Sequence, residues 1–412
     1  MNKVVKKKFR QHLSKIFILI IICFLILKTN FVFASEVFTS NTSTDDVSKT
    51  TEEVTNNITE STKKTYNLDE YIDTINNSVN ENLGQEIDFK NIANELLNKN
   101  DINHKNLFAK LLEIFASEVS SAIKGTVTIF IIVIIMAILS NLELDNKSDI
   151  TRIAHLACFI VIATITVTTF VQTVNMLKTT INTMGTLMQV ISPFLLSVLI
   201  ATGKISTTGI IQPLLLFLAS SVGFIVTYFV IPLLSISVAF NVICSISENI
   251  RLEKLSKIFS NVSLWTIGVV LTVFLGVLSL ETSLSSSVDS LSVKTTQAAV
   301  SNFVPVVGKF FSDSFEVVVG ATNIIGKTGG TIGILGIVIV GIIPIFKIAS
   351  IMVIYMLLAA FVEMITTDKL ILKYLSGFVN VYKTMLGILI GVVILFVIST
   401  GIILNLVNSI VT

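Results

Sequence analysis

Residues 205–247 read ISTTGIIQPLLLFLASSVGFIVTYFVIPLLSISVAFNVICSIS, a run of 43 residues without Asp, Glu, Lys or Arg. As one helix this run would measure about 65 Å, roughly twice the ~30 Å hydrocarbon core of a bilayer. We therefore predict that it crosses a membrane twice and turns between Ser220 and Pro232. Together with the other charge-free windows, it predicts an all-α, polytopic membrane domain at residues 125–412 with about seven to eight spans. Those windows are residues 125–142, 153–177, 179–203, 258–280, 328–346, 348–362 and 384–410.

The composition of the chain excludes several functional classes. Of the 412 residues, 52% are hydrophobic and 14% are charged, and the mean hydropathy is +0.85. A soluble globular chain has about 25% charged residues, so an ordinary soluble protein is excluded. Residues 1–124 carry 31 of the 56 charged side chains, which puts the water-exposed part of the chain before the membrane part. A net charge of +2 with no basic face argues against nucleic-acid binding.

Residues 1–34 have the pattern of an export signal. Six Lys and Arg within the first 15 residues precede an apolar run at residues 16–27. At ~1.5 Å per residue this run is too short to span a bilayer. Val32 and Ala34 are small residues at the −3 and −1 positions of a cleavage site. We predict a cleaved signal peptide, with an uncleaved anchor as the alternative, and export of the segment that follows.

The exported segment has two parts. Residues 35–65 are rich in Ser, Thr, Asn and Glu and predict a disordered polar linker. Residues 66–124 predict a small extracytoplasmic helical region, because apolar side chains recur at spacings of three and four. The first such stripe comprises Leu68, Ile72, Ile75, Val79 and Leu83. We predict a helical hairpin packed on itself; the alternative is a docking surface, whose net charge of −8 over residues 35–124 would suit a basic partner.

The positive-inside rule orients the spans. With the N-terminal region exported and two passes in residues 205–247, the basic cluster at residues 251–257 lies in the cytoplasm. The side on which Lys373 lies stays open. Eight passes would place it outside, whereas one span over residues 328–362 would place it inside and the C-terminus outside.

The segment at residues 281–327 is predicted as a long loop between spans. Phe303, Val307, Phe311 and Phe315 recur in it every four residues. This spacing predicts an amphipathic helix that lies in the membrane interface or plugs a cavity. A packed interfacial helix without a function of its own is the alternative.

Two glycine-containing motifs have structural interpretations. The string ATNIIGKT at residues 321–328 matches the loose form of a phosphate-binding loop. It has isoleucines where such a loop needs flexible backbone, and a membrane span follows it, so we predict no nucleotide binding. Small residues four apart allow membrane helices to approach closely, although glycine is also common filler there. The candidate packing residues are Gly329 and Gly333, and Gly387 and Gly391.

The predicted spans lack the groups that catalysis at membrane depth requires. Apart from Lys347 and residues at their ends, they contain no Asp, Glu, Lys or Arg, which ion-coupled transporters and intramembrane proteases place there. His155 and Cys158 could share a helix face, but a metal site needs more ligands. We therefore predict that the chain is not an enzyme and has no catalytic residues, metal or cofactor.

The polar groups that the spans do contain are neutral. They include four threonines in one short segment, Thr164, Thr166, Thr168 and Thr169. We predict that they bond between helices. The alternative is that helices broken near Pro193, Pro213 and Pro232 line a pore.

One segment resembles a known family. Lys294-Thr295 and then Ser301-Asn302-Phe303-Val304-Pro305-Val306-Val307-Gly308 are similar to a loop of the stage III sporulation protein AE family. Residues 342–356 resemble the span that follows it there, and the order of signal peptide, polar segment and multi-span region is also similar. The resemblance marks a structural or interaction motif of six residues: Lys294, Thr295, Asn302, Phe303, Pro305 and Gly308.

The resemblance implies a non-enzymatic subunit of a secretion-like channel complex in an endospore-forming bacterium. The protein would lie in the mother-cell membrane around the engulfed forespore. Other membrane proteins of the same complex and a forespore-side partner would bind it, and late forespore gene expression would require it. The residues alone leave a second function open, a transporter for a small neutral solute with its binding site at the Pro-containing spans.

Overall fold

Helix is the only regular structure in the part of the chain that the structure describes. The computed structural model describes residues 67–83, 89, 104–141, 149–246, 252–303, 307–365 and 369–408. Its main helices are α1 (Leu68–Leu83), α2 (His104–Asn141), α3 (Asp149–Ala201), α4 (Ile205–Ile225), a π-helical segment (Val226–Val230), α5 (Ile231–Cys244), α6 (Glu253–Phe303), α7 (Val307–Ile365) and α8 (Lys369–Asn408). The predicted all-α class is confirmed. The predicted signal peptide and polar linker lie outside the described residues.

Six helical segments are long and apolar enough to cross a membrane. They are Glu113–Met136, Ile153–Ala201, Ile205–Cys244, Glu253–Ser283, Thr322–Ile365 and Leu370–Val407. The polytopic architecture is thereby confirmed. The second of these segments has 49 residues, so it is about 73 Å long, whereas the bilayer core measures only ~30 Å.

The structure corrects three predicted span boundaries. α3 passes through Lys178 without a break, and α7 passes through Lys347. Where a turn was predicted between Ser220 and Pro232, the chain stays helical and only widens into the π-helical segment, with right-handed helical dihedrals on both sides. A lone lysine ends a charge-free window but does not interrupt backbone hydrogen bonding, and this is why the windows overstated the number of separate helices.

The predicted long loop at residues 281–327 is also corrected. α6 continues to Phe303 and α7 begins at Val307, so most of the segment is helix. Residues 304–306, which include Pro305, lie outside the described residues. The predicted interfacial helix corresponds to the first turns of α7, whose side chains lie outside the described part.

Contacts between distant residues give the directions of the helices. Phe115 and Phe130 of α2 pack on Phe346 and Phe361, respectively, so α2 runs parallel to α7. α3 and α6 run parallel to α8, as shown by the pairs Thr166–Tyr374, Met188–Thr400, Leu264–Gly387 and Ile267–Gly391. We call the end where α6 and α8 begin the Glu253 end, and the end where α4 begins the Lys204 end.

A tight turn at the Lys204 end joins α3 to α4. Gly203 has a φ of 87°, a left-handed conformation that favours glycine. The turn places Lys204 against the C-terminus of α8, where its buried ammonium donates a hydrogen bond of 2.5 Å to the carbonyl of Leu406. A cation is favourable at this position because helix C-termini carry partial negative charge.

Exposed lysines lie halfway along the long helices. Two contacts align α3 with α7: the side chain of Thr169 lies next to Tyr355, and the side chain of Met184 lies next to Gly341. Between these two contacts, Lys178 of α3 and Lys347 of α7 lie at the same level, and both are exposed. Lys347 is about 27 Å along α7 from Ile365 at 1.5 Å per residue. The stretch from this level to the Glu253 end therefore matches the thickness of one bilayer core.

This membrane-thick half has an apolar outer surface. α2 exposes Ile123, Val127, Ile131, Ile135 and Ile138 at helical spacing, and α5 and α6 expose further large side chains such as Ile236, Ile243 and Ile258. Stripes of this kind would be unfavourable in water but match acyl chains. This surface is suited to contact lipid.

Candidate functional site

A cluster of buried hydroxyl groups lies between α3, α7 and α8. Thr166 and Tyr374 share a hydrogen bond between their hydroxyls. One and two turns further along α3, the side chains of Thr169 and Thr173 lie next to those of Tyr355 and Tyr382, respectively. The hydroxyls of these two tyrosines form no hydrogen bond within the described part of the chain. The threonines lie on one face of α3 because they are three and four residues apart.

Aromatic rings pack around these hydroxyls. Phe378 is fully buried, and its ring centroid lies 4.9 Å from that of Tyr374 and 6.4 Å from those of Tyr355 and Tyr382. Phe159 of α3 contacts Tyr374 edge-on at 5.2 Å. Packing and neutral hydrogen bonds of this kind join membrane helices. Of the four threonines at residues 164–169, only Thr166 and Thr169 take part, whereas the hydroxyls of Thr164 and Thr168 bond to their own helix on an exposed face.

A polar pocket of about 130 Å³ lies next to this cluster, between α5, α6 and α8. Asn241 connects the two features, because its side-chain amide donates a 3.1 Å hydrogen bond to the carbonyl of Tyr374. It lies directly over Gly377, where any Cβ would overlap it. The pocket is lined by Ser237, Asn241, Glu253, Ser256, Lys257, Ser260, Lys373, Ser376, Gly377, Asn380 and Val381.

Hydrogen bonds between side chains close the walls of the pocket. Ser237 and Ser256 each donate to the other's backbone carbonyl, at 2.7 and 2.8 Å. Ser260 and Thr384 share a hydrogen bond of 2.6 Å. At the Glu253 end, the ammonium of Lys373 lies 2.5 Å from the carboxylate of Glu253. Because both side chains are partly exposed, we expect this ion pair to contribute little more than ~1 kcal/mol to stability.

The glycines chosen from sequence lie at contacts between helices. A Cβ on Gly333 of α7 would meet Ile191 of α3 at 3.1 Å. A Cβ on Gly387 or Gly391 of α8 would lie 2.8 or 2.9 Å from Leu264 or Ile267 of α6. Gly329 faces the ring of Phe194, which occupies the space of a Cβ. We therefore assign these glycines to close helix packing.

Helix α1 packs on this glycine-rich part of α7. Its apolar stripe is buried against α3 and α7, so the prediction that it packs only on itself is corrected. Tyr71 stacks on Phe194 with a centroid distance of 4.2 Å and donates a 3.0 Å hydrogen bond to the carbonyl of Gly329. Burial raises the pKa of the Tyr71 hydroxyl, so it stays protonated as that donor. Sequence periodicity gave the buried face of α1 but not its partner.

The family-motif residues and the ATNIIGKT string both lie in helices for the part that the structure describes. Lys294, Thr295, Asn302 and Phe303 lie in the last part of α6 and Gly308 lies in α7, but their side chains and all of Pro305 lie outside the described part. The ATNIIGKT string is continuous helix, which lacks the loop that cradles phosphate. Among the described residues, no three of His, Cys, Asp and Glu come together as metal ligands.

Sequence reasoning missed the polar pocket. Its lining residues come from three helices, and no single segment shows the pattern. The available signal was the pair Ser256 and Ser260, four residues apart on α6, next to Lys257, which borders the charge-free window at residues 258–280.

Comparison with known proteins identifies the family. The sequence model described as stage III sporulation protein AE matches residues 87–406, which is more than half of the chain. The chain belongs to the stage III sporulation protein AE family. It is 25% identical over 237 residues to the stage III sporulation protein AE of Bacillus subtilis strain 168. That alignment covers 57% of this chain and spans 59% of the relative's length. No solved structure matches the chain.

The part of this family member that matches the family model includes the hydroxyl cluster, the polar pocket and the described part of α2 to α8 up to Leu406. It begins after α1, which ends at Leu83. The resemblance seen in the loop motif is therefore confirmed at the level of the family, and the chain is a sporulation protein with membrane-spanning helices.

Proposed function

We propose that this chain is a non-enzymatic membrane subunit of a channel complex that links mother cell and forespore, and that late forespore gene expression requires it. Family membership supports a role in sporulation. The observation that carries the proposal of a complex is the length of the apolar helices, which extend about one bilayer thickness beyond the level of Lys178 and Lys347.

Beyond that level, large apolar side chains stay exposed. Ile205 and Phe217 are 67% and 63% exposed, and others on α4 and α6 are Ile210, Leu216, Val273, Val277 and Leu280. One bilayer cannot cover both halves of the helices. An apolar surface outside the bilayer marks a protein–protein contact, and neighbouring membrane proteins of the same complex would supply it.

Charge supports the orientation. The first turns of the helices that begin at the Glu253 end carry Arg152, Lys254, Lys257, Lys369 and Lys373, which the positive-inside rule assigns to the cytoplasm. If α3 crosses the membrane once and α4–α5 together cross it once, residues 251–257 lie in the cytoplasm. Two crossings by each would give the same result. The Lys204 end, α1 and the C-terminus then face the space between the mother-cell and forespore membranes.

The transporter alternative has lost its specific support. It placed a solute site where helices break near Pro193, Pro213 and Pro232. Helices continue through Pro193 and Pro213, and at Pro232 the chain stays helical directly after the π-helical segment. The buried polar groups between α3, α7 and α8 are neutral, and Thr166 and Tyr374 bond to each other across the helices, as in a structural contact.

Deletion of the gene in its spore-forming host tests the proposal. We expect engulfment to proceed, a late forespore reporter gene to stay silent and heat-resistant spores to be lost, with restoration by the wild-type gene. Normal spore yield in the deletion strain would contradict the proposal. Solute-specific flux through liposomes that contain only this purified protein would instead support the transporter.

A further inference from the structure

The polar pocket between α5, α6 and α8 has the chemistry of an anion site. Two lysines, Lys257 and Lys373, and one glutamate, Glu253, line it, so its charge is positive by one. Four serine hydroxyls and two carboxamides complete the polar lining. Ser237 and Ser256 already donate to backbone carbonyls, whereas the Ser376 hydroxyl and the Asn380 carboxamide are the donors that remain for a bound group. The volume of about 130 Å³ exceeds the ~30 Å³ that one liquid water molecule occupies, which gives room for a phosphate group.

The surroundings of the pocket contain lipid-facing side chains. Leu255 and Ile258 flank Lys257 on α6 and are 41% and 53% exposed. Ile246, just beyond the C-terminus of α5, is also exposed. The pocket therefore borders the apolar surface at the Glu253 end, at the depth where phospholipid headgroups lie. Basic pockets between membrane helices at this depth are suited to anionic headgroups.

We propose that this pocket binds the phosphate of an anionic phospholipid headgroup, with the ammonium of Lys257 as the main ionic partner. Lys373 is already paired with Glu253 and orients that wall of the site. The acyl chains of the lipid would lie along the exposed side chains of α6. The inference requires that the chain lies in a bilayer, but it does not depend on the channel role.

Native mass spectrometry of the full-length protein, purified and delipidated in detergent, tests this site. Phosphatidylglycerol and phosphatidylcholine with identical acyl chains are the probes, and Lys257→Gln is the test variant. Lys254→Gln is the matched control, because Lys254 is an exposed lysine of the same helix turn that does not line the pocket. We expect wild type and Lys254→Gln to retain phosphatidylglycerol over phosphatidylcholine, and Lys257→Gln to bind it about tenfold more weakly.

A second variant and a second probe sharpen the test. Ser376→Phe fills the pocket without changing its charge and should also reduce phosphatidylglycerol binding. Stabilisation of the protein by inorganic phosphate, lost in Lys257→Gln and without selectivity between the lipids, would overturn the lipid headgroup and assign a free anion. Equal lipid retention by wild type, Lys257→Gln and Ser376→Phe would overturn the site altogether.

Discussion

Replacement of Gly329 by leucine is expected to release α1 from the membrane domain. The ring of Phe194 already occupies the space of a Cβ at Gly329. Phe194 cannot move aside without displacing Tyr71, which stacks on it and donates its hydroxyl to the Gly329 carbonyl. Overpacking costs about 1–3 kcal/mol, and a lost buried hydrogen bond adds ~1 kcal/mol. Together these effects reach ~3 kcal/mol, which corresponds to roughly a hundredfold more frequent opening of α1.

Limited proteolysis of the purified full-length protein measures this release as the cleavage rate within residues 67–83. Gly276→Leu is the matched control, since Gly276 is also in an apolar helix but has no atom within 4 Å of a built Cβ. The control should cleave at the wild-type rate. If Gly329→Leu also kept the wild-type rate, the docking of α1 against α7 would be contradicted.

Replacement of Phe378 by alanine is expected to destabilise the helix bundle by about 3–5 kcal/mol. Phe378 is fully buried and contacts three tyrosine rings from α7 and α8. In a membrane domain, helix association depends on van der Waals packing, so the cavity directly weakens the α3–α7–α8 contact. The free energy of unfolding in mixed detergent micelles is the measurement.

Phe224→Ala provides the comparison for this prediction. Phe224 is 63% exposed and contacts Tyr228 on the outer surface of its own helix. Its loss should change the free energy of unfolding by less than ~1 kcal/mol. Similar free energies for the two variants would show that the aromatic cluster is not a centre of stability.

The fold class and the apolar helices were predictable because lipid imposes a simple requirement on sequence. Charge-free windows of about 20 residues identify helices that can face acyl chains. Helix ends were less predictable, because Lys178 and Lys347 interrupt the windows without interrupting the backbone. The charge of a side chain indicates whether it faces water or lipid, but it does not indicate where a helix ends. A helix ends where residues such as Gly203 leave the helical conformation.

The candidate site was only partly predictable. Small residues four apart drew attention to Gly387 and Gly391, but their spacing cannot name Leu264 and Ile267 as the facing side chains. The pocket joins Ser237, Lys257 and Lys373, which are far apart in sequence. Such contacts follow from the directions of the helices, which a single sequence does not display.

The central claim is that each long helix crosses the membrane once, with the Glu253 end in the cytoplasm. Cysteine accessibility in intact cells tests it most directly, with single cysteines at the exposed positions Lys254 and Asn405 in a chain whose three native cysteines are replaced. With the protein expressed in the plasma membrane of non-sporulating cells, a membrane-impermeant maleimide should label Asn405→Cys in intact cells, and Lys254→Cys only after permeabilisation. Labelling of Lys254→Cys in intact cells, or of both positions on the same side, would contradict the account.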